Sequence, residues 1–380
     1  MRIPHLAAIL SMNIYFYDNF SSSYNRFGNP VTERLLKLNK NIRVFYIHDN
    51  YDNGIVTIQR KDAKRLIAID KNEVTNYVRK HPPICFLSFS FRIPDVYWTL
   101  FFNNLSVPTY QVQHGLYVDN YKRSMTFLLV EIKRVFSYLH YLIRISKLVE
   151  NQIQTLGSLI KKDVNISINN SEIDEKIRSK NLIIWGEYWK DWFKNQHGYT
   201  DSTLFHICGS FDFALLNSPD NLIEDDENSI TYICQTLVED GRLSEKYFEV
   251  FISNLSDLIE RSDQTIYIKY HPRSDKRLYS NLGGYKNVVF TKKYPFSNVY
   301  IGHYSSLLTV GSHMRKDIIF VEFPGHPTPT AFQHMTKNII QYNDTISMLD
   351  LKKNDIDPNY YYEYREDPFG EVARFITSDL

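Results

Sequence analysis

Runs of β-branched and aromatic residues alternate with helically spaced segments along most of the chain, and this alternation restricts the fold more than any other feature. Parallel strands can be joined only through a crossover, so a strand–helix–strand series predicts an α/β protein with mostly parallel sheets. Residues 14–17, 42–47, 84–89, 109–112, 182–185 and 204–208 read as the strands of a first series. A helix is expected to open near Pro30, since proline is tolerated in a first turn. Residues 217–229 are polar, acidic and contain a proline, as expected of an exposed linker between domains. A second series follows: strands at 230–234, 265–270, 288–290, 299–302 and 318–323, with helices over 244–261 and from Ser305. A chain of 380 residues is long enough for two such domains. The expected division is residues 1–220, residues 221–350, and a tail over 351–380 that can pack back on the first domain.

Charge and cysteine content narrow the function classes. Lys+Arg 44 against Asp+Glu 43 leaves a net charge of +1, too little to hold a polyanion by counterion release. A dedicated nucleic-acid binder is therefore excluded. Cys85, Cys208 and Cys234 are odd in number and widely spaced, which argues against a disulfide framework or a structural zinc site and fits a reducing cytoplasm. Residues 1–10 lack both a cleavage site and the length of a membrane span. Residues 127–148 are apolar but are interrupted by Glu131, Lys133, Arg134, Arg144 and Lys147, so they read as an amphipathic helix. Such a helix can rest on an anionic inner leaflet or pack as an ordinary core helix.

Ligands of open α/β sheets bind beyond the carboxyl ends of the strands, which singles out four segments. Gln113-His114-Gly115 ends a strand in an imidazole able to take a proton from a hydroxyl; a hydrogen bond to a neighbouring loop is the structural alternative. Lys269, His271, Pro272 and Arg273 place three phosphate-binding side chains around an abrupt strand end, or form a solvated basic turn. Tyr304-Ser305-Ser306 runs from a strand into a helix, where hydroxyls and backbone N–H groups can hold a phosphate or simply cap the helix. Gln235 to Gly241 follows a strand with the paired acids Glu239 and Asp240, each a candidate base, sugar ligand or helix-start carboxylate.

The order of Cys234-Gln235-Thr236-Leu237-Val238-Glu239-Asp240-Gly241, Lys269-Tyr270-His271-Pro272-Arg273 and Tyr304-Ser305-Ser306-Leu307-Leu308-Thr309 resembles bacterial lipooligosaccharide sialyltransferases and polysialyltransferases. The resemblance spans residues 230–325, the donor half. It implies a GT-B fold, two Rossmann-like domains facing across a cleft, and metal-independent, inverting transfer from CMP-sialic acid with no further cofactor. It also implies that His271 contacts the CMP phosphate and assists its departure, and that Ser305 and Ser306 bind the same phosphate. Gln235, Lys269, Pro272, Arg273 and Tyr304 complete the expected donor site. Family members carry an acidic pair and glycine where this chain has Gln113-His114-Gly115. The base is then His114, as in the similar glycerophosphotransferases of teichoic acid synthesis, or Glu239 or Asp240. The expected partners are a nucleotide-sugar donor and a lipid-linked surface glycan of the lipooligosaccharide or capsule type, met in the cytoplasm at the inner membrane face. A CDP-glycerol transferase, a nucleotide-sugar epimerase and an inactive nucleotide-binding protein are the alternatives.

Overall fold

The computed structural model describes residues 11–18, 24–48, 65–115, 132–133, 135–163, 174–348, 351–352 and 357–378. The chain divides into two compact units. The first comprises Met1–His114, Arg134–Phe211 and Asp367–Leu380, and the second comprises Gly115–Lys133 and Asp212–Glu366.

The first unit holds a seven-stranded parallel sheet in the order β3-β2-β1-β4-β5-β6-β7. Its strands are β1 (Met12–Tyr17), β2 (Ile42–His48), β3 (Leu66–Asp70), β4 (Pro83–Ser88), β5 (Thr109–Val112), β6 (Asn181–Ile184) and β7 (Leu204–Ile207). The crossovers use helices α1 (Asn29–Leu38), α2 (Val74–Lys80), α3 (Ile93–Asn104), α4 (Leu139–Ser146), α5 (Gln152–Asp163) and α6 (Tyr188–His197). Helix α1 starts beside Pro30 and buries Val31 and Leu35, one turn apart. Helix α6 ends at Gly198, whose φ of 66° lies in the left-handed region and whose N–H closes on the Lys194 carbonyl. The core is rich in aromatic rings because β1, β2 and β4 place rings against those of the helices and of one another. Tyr15 stacks on Phe45 at 4.7 Å and Phe86 on Phe102 at 4.4 Å.

The second unit has a six-stranded parallel sheet in the order β10-β9-β8-β11-β12-β13. Its strands are β8 (Leu222–Ile233), β9 (Thr265–Lys269), β10 (Val288–Thr291), β11 (Tyr294–Gly302), β12 (Asp317–Glu322) and β13 (Asn338–Gln341). Helix α7 (Glu245–Arg261) buries Phe248, Phe251, Ile252, Leu255, Leu258 and Ile259, the three-and-four spacing of one helical face. Helices α8 (Leu308–His313) and α9 (Thr330–Gln333) are short. The last helix, α10 (Pro368–Ser378), belongs to the first unit, where it packs on α1. Asp367 at its start pairs with Arg34 at 3.2 Å, and Phe369 stacks on Phe211 at 4.5 Å.

Two expectations need correction. The segment 217–229 is no irregular linker: from Leu222 onward it is the first part of β8, paired in parallel with β11. Ladder hydrogen bonds use the backbone and do not read side-chain polarity, while Ser229, Thr231 and Ser297 satisfy one another where the two strands enter the core. The helix predicted from Ser305 begins at Leu308, because residues 305–307 turn first. Strands β3 and β13 carry no strand expectation; they are the edge strand of each sheet's β3 and β13 flank, short and only partly buried, so their hydrophobic signal is weak. The apolar stretch 127–148 falls partly outside the described residues; within them it contains α4.

Candidate active site

In the second unit the topology gathers three separate motifs at one sheet edge. Strands β9, β8 and β11 are adjacent and parallel, so Gln235 beyond β8, His271 beyond β9 and Tyr304 beyond β11 all follow carboxyl ends on the same side. The chain order reverses between β8 and β11, which makes this edge the topological switch point where ligands of such sheets bind.

His271 sits in a turn built to orient its ring. Its backbone N–H donates to the Ser274 hydroxyl at 3.1 Å, and its Nδ1 accepts the Arg273 backbone N–H at 3.2 Å. A ring nitrogen that accepts carries no proton, so the neutral imidazole holds its proton on Nε2. Glu239 anchors the turn by accepting the Asp275 backbone N–H at 2.8 Å, and its other oxygen is buried without a hydrogen-bond partner among the described residues. Asp240 holds Arg273 in a fork, with Nη1 at 2.8 Å and Nη2 at 3.2 Å. Thr236 donates to Asp240 at 2.9 Å and accepts from Arg273 at 3.1 Å. Burial pulls the Asp240 carboxyl up, but the hydrogen bonds from Arg273 and Thr236 and the Arg242 charge outweigh it and hold the group below the usual carboxylate range. Gly241 closes this loop with a φ of 68°.

Lys269 ends β9 only 9% exposed, its Nζ 3.5 Å from the Tyr270 carbonyl, whereas Pro272 and Arg273 lie at the surface and Gln235 is partly exposed. Tyr304 donates to the Pro327 carbonyl at 3.0 Å. Ser305 is 4% exposed and accepts the Leu307 N–H at 3.3 Å, an ordinary turn hydrogen bond; Ser306 is partly exposed. Next to them His303 is a core residue: it bonds the Tyr232 hydroxyl and the Val321 carbonyl, and burial pushes its pKa down to about 4.

His114 belongs to the first unit, one strand beyond its own switch point between β1 and β4. Its ring lies 5.4 Å from that of Phe27 and bonds the Phe89 backbone. Burial and the Arg92 charge depress its pKa to about 4, with Arg26 adding to the effect and the Phe89 bond opposing it, so the imidazole is neutral at physiological pH. Gln113 is fully buried and clamps the neighbouring strand end: its side-chain oxygen accepts the Trp185 N–H and its carbonyl the indole N–H, both at 3.0 Å. Gly115 has no positive φ, and a Cβ there would meet nothing within 4 Å, so neither a tight turn nor packing requires the glycine.

Sequence reasoning found the strand-end histidines but missed their supports. Phe27, Arg26 and Arg92 around His114 come from elements remote in sequence. Ser274 and Asp275 directly follow the His-Pro-Arg motif, and the Asx and serine spacing after His-Pro was the available signal for a constructed turn. Among the described residues no group of three or more His, Cys, Asp or Glu side chains is placed to hold a metal ion.

The structure is similar to UDP-GlcNAc 2-epimerase from Methanocaldococcus jannaschii, with a TM-score of 0.54 at 14% identity over 97% of this chain and 99% of that one. It is also similar to Medicago truncatula UGT71G1 complexed with UDP-glucose, with a TM-score of 0.51 at 8% identity over 98% and 99%. The glycotransferase of kitacinnamycin gives a TM-score of 0.50 at 12% identity over 95% and 90%. At such identities these likenesses establish the fold, GT-B, and nothing finer. No curated protein matches the sequence. The alpha-2,8-polysialyltransferase family model matches residues 16–286. That match reaches through the first unit, which the resemblance expected from residues 230–325 did not, and it stops short of Ser305 and Ser306. Because it takes in more than half of the sequence, the chain belongs to the alpha-2,8-polysialyltransferase family and is a glycosyltransferase.

Proposed function

We propose that the enzyme moves sialic acid from CMP-sialic acid to a hydroxyl of a surface glycan in one inverting, metal-independent displacement. The single observation that carries this reading is the convergence of Gln235, His271 and Tyr304 on one carboxyl edge, within a chain of this family. His271 acts as a neutral ring: Nδ1 is engaged by Arg273, and Nε2–H is the donor to a phosphate oxygen as the glycosidic bond breaks. Ser305 and Ser306 supply hydroxyls, and Arg273 a guanidinium whose fork is already half used by Asp240. Lys269 contributes charge from beneath the edge.

The proton of the attacking hydroxyl goes to His114. Its imidazole is neutral at physiological pH, whereas Asp240 is held in an ion pair and one Glu239 oxygen accepts the Asp275 N–H. Both acids are then positioning residues of the His271 turn. The acceptor is a lipid-linked glycan of the lipooligosaccharide or capsule type, met at the inner membrane face. No helix of the described residues is long and apolar enough to cross a membrane.

The test is a thermal-shift comparison of CMP, CDP, UDP and their sugars. A selective ligand at about a hundred times its Kd stabilises the folded state by about 2.7 kcal/mol. CMP and CMP-sialic acid should raise the midpoint most, and preference for CDP-glycerol or UDP-sugars would overturn the donor assignment.

A further inference from the structure

The helix pair α4 and α5 is apolar on two sides. One side is core: Tyr141, Leu142, Ile145 and Leu159 are buried against the first unit's aromatic cluster. The other faces solvent. Leu139 is 52% and Ile143 51% exposed, one turn apart on α4, and Phe136 is 70% exposed one turn earlier in the helical stretch 135–137. Leu148 at 37% and Ile153 at 86% flank the turn into α5, where Ile160 is 36% exposed. Single exposed apolar residues are ordinary on a protein surface, but six within 25 residues of one helical hairpin are not.

The charges around this face point to one occupant. Lys147 and Lys161 are exposed, and Arg144 lies over the Tyr97 ring at 5.7 Å. The acid within the same stretch whose side chain is described, Glu150, is paired with Lys176 at 3.3 Å. Apolar side chains with an excess of long basic ones beside them suit the boundary of an anionic bilayer, where aliphatic groups enter the acyl layer and cations meet the headgroups. A protein partner would instead call for acidic groups opposite the cations.

We propose that the α4–α5 hairpin is a membrane-docking surface, with Phe136, Leu139, Ile143 and Ile153 as its inserting side chains and an anionic lipid bilayer as its partner. It rests on the reading of the acceptor as lipid-linked, for which it supplies the means of approach. Co-sedimentation of the full chain with phosphatidylcholine vesicles, with and without phosphatidylglycerol, tests it. The chain should pellet with the anionic vesicles, and the variant Phe136→Ser/Ile143→Ser/Ile153→Ser should bind at least about tenfold more weakly. Lys147→Glu/Lys161→Glu should lose the preference for phosphatidylglycerol. Both variants should melt like the wild type and transfer normally to a soluble acceptor. A wild-type chain that stays in the supernatant, or serine variants that bind unchanged, would overturn the proposal, as would a wild-type dimer that the serine variant dissociates without any vesicle binding. Vesicle binding without transfer to any acceptor would sustain the docking surface and sink the proposed reaction instead.

Discussion

A histidine at a strand end does chemistry only if its neighbours fix which nitrogen faces the ligand. In the His271 turn the Arg273 N–H makes that choice, and His271→Ala should lower turnover by about 10²- to 10⁴-fold. The fold should survive, since His271 is only partly buried in a turn beyond β9; a melting curve alongside a transfer assay checks both. If Asp240 works only by holding Arg273, then Asp240→Ala and Arg273→Ala should each reduce kcat/KM by a similar factor, and the double variant should be no worse than either. Independent, multiplying losses would return Asp240 to the list of candidate bases. His303 offers a pH test. Its folded pKa, about 4, lies below its unfolded value of 6.5, so the unfolded chain binds a proton that the folded one refuses. Its contribution to stability is full above pH 6.5 and is lost as the pH falls toward 4, about 3 kcal/mol in all. His303→Gln should be less stable at neutral pH and should show a shallower acid limb in urea unfolding. His114 has the same sign, and if it is the base, its protonation should cut kcat/KM only as the pH approaches 4.

At the scale of elements, α10 shows how a terminal segment becomes core. Val372, Ala373 and Ile376 are fully buried, and the Phe369 ring lies nearly parallel to that of Phe211. Phe369→Ala should cost about 3 to 5 kcal/mol and expose the α1 surface to hydrogen exchange. A loss below about 1 kcal/mol would mean that Val372, Ala373 and Ile376 hold the helix without help from the Phe369–Phe211 stack. The amphipathic spacing of α7 and the buried runs of β2, β4 and β5 were legible in the sequence, because their periodicity is a direct imprint of one buried face. The acidic half of β8 was not. Glu224 and its neighbours spell an exposed loop, and only the long partner strand β11 makes them a strand by supplying backbone partners.

For the molecule as a whole, the chain leaves the first unit at Phe211 and re-enters it at Asp367, so that unit is completed by a segment remote in sequence from its sheet. Removing residues 367–380 should therefore loosen the first unit while CMP binding by the second persists, a difference that limited proteolysis and a thermal shift read separately. The two α/β series and the positions of His114, His271, Ser305 and Ser306 after strands can be read from local patterns, since hydrophobic period and breaker residues act over a few positions. Tertiary packing alone sets the strand order that puts Gln235, His271 and Tyr304 on one sheet edge, the commitment of Asp240 to Arg273, and the placing of His114 near Phe27, Phe89 and Arg92. Those contacts join residues far apart in the chain, and no local pattern encodes them; they exist because parallel pairing around β1 and β8 is the arrangement that buries both faces of each sheet.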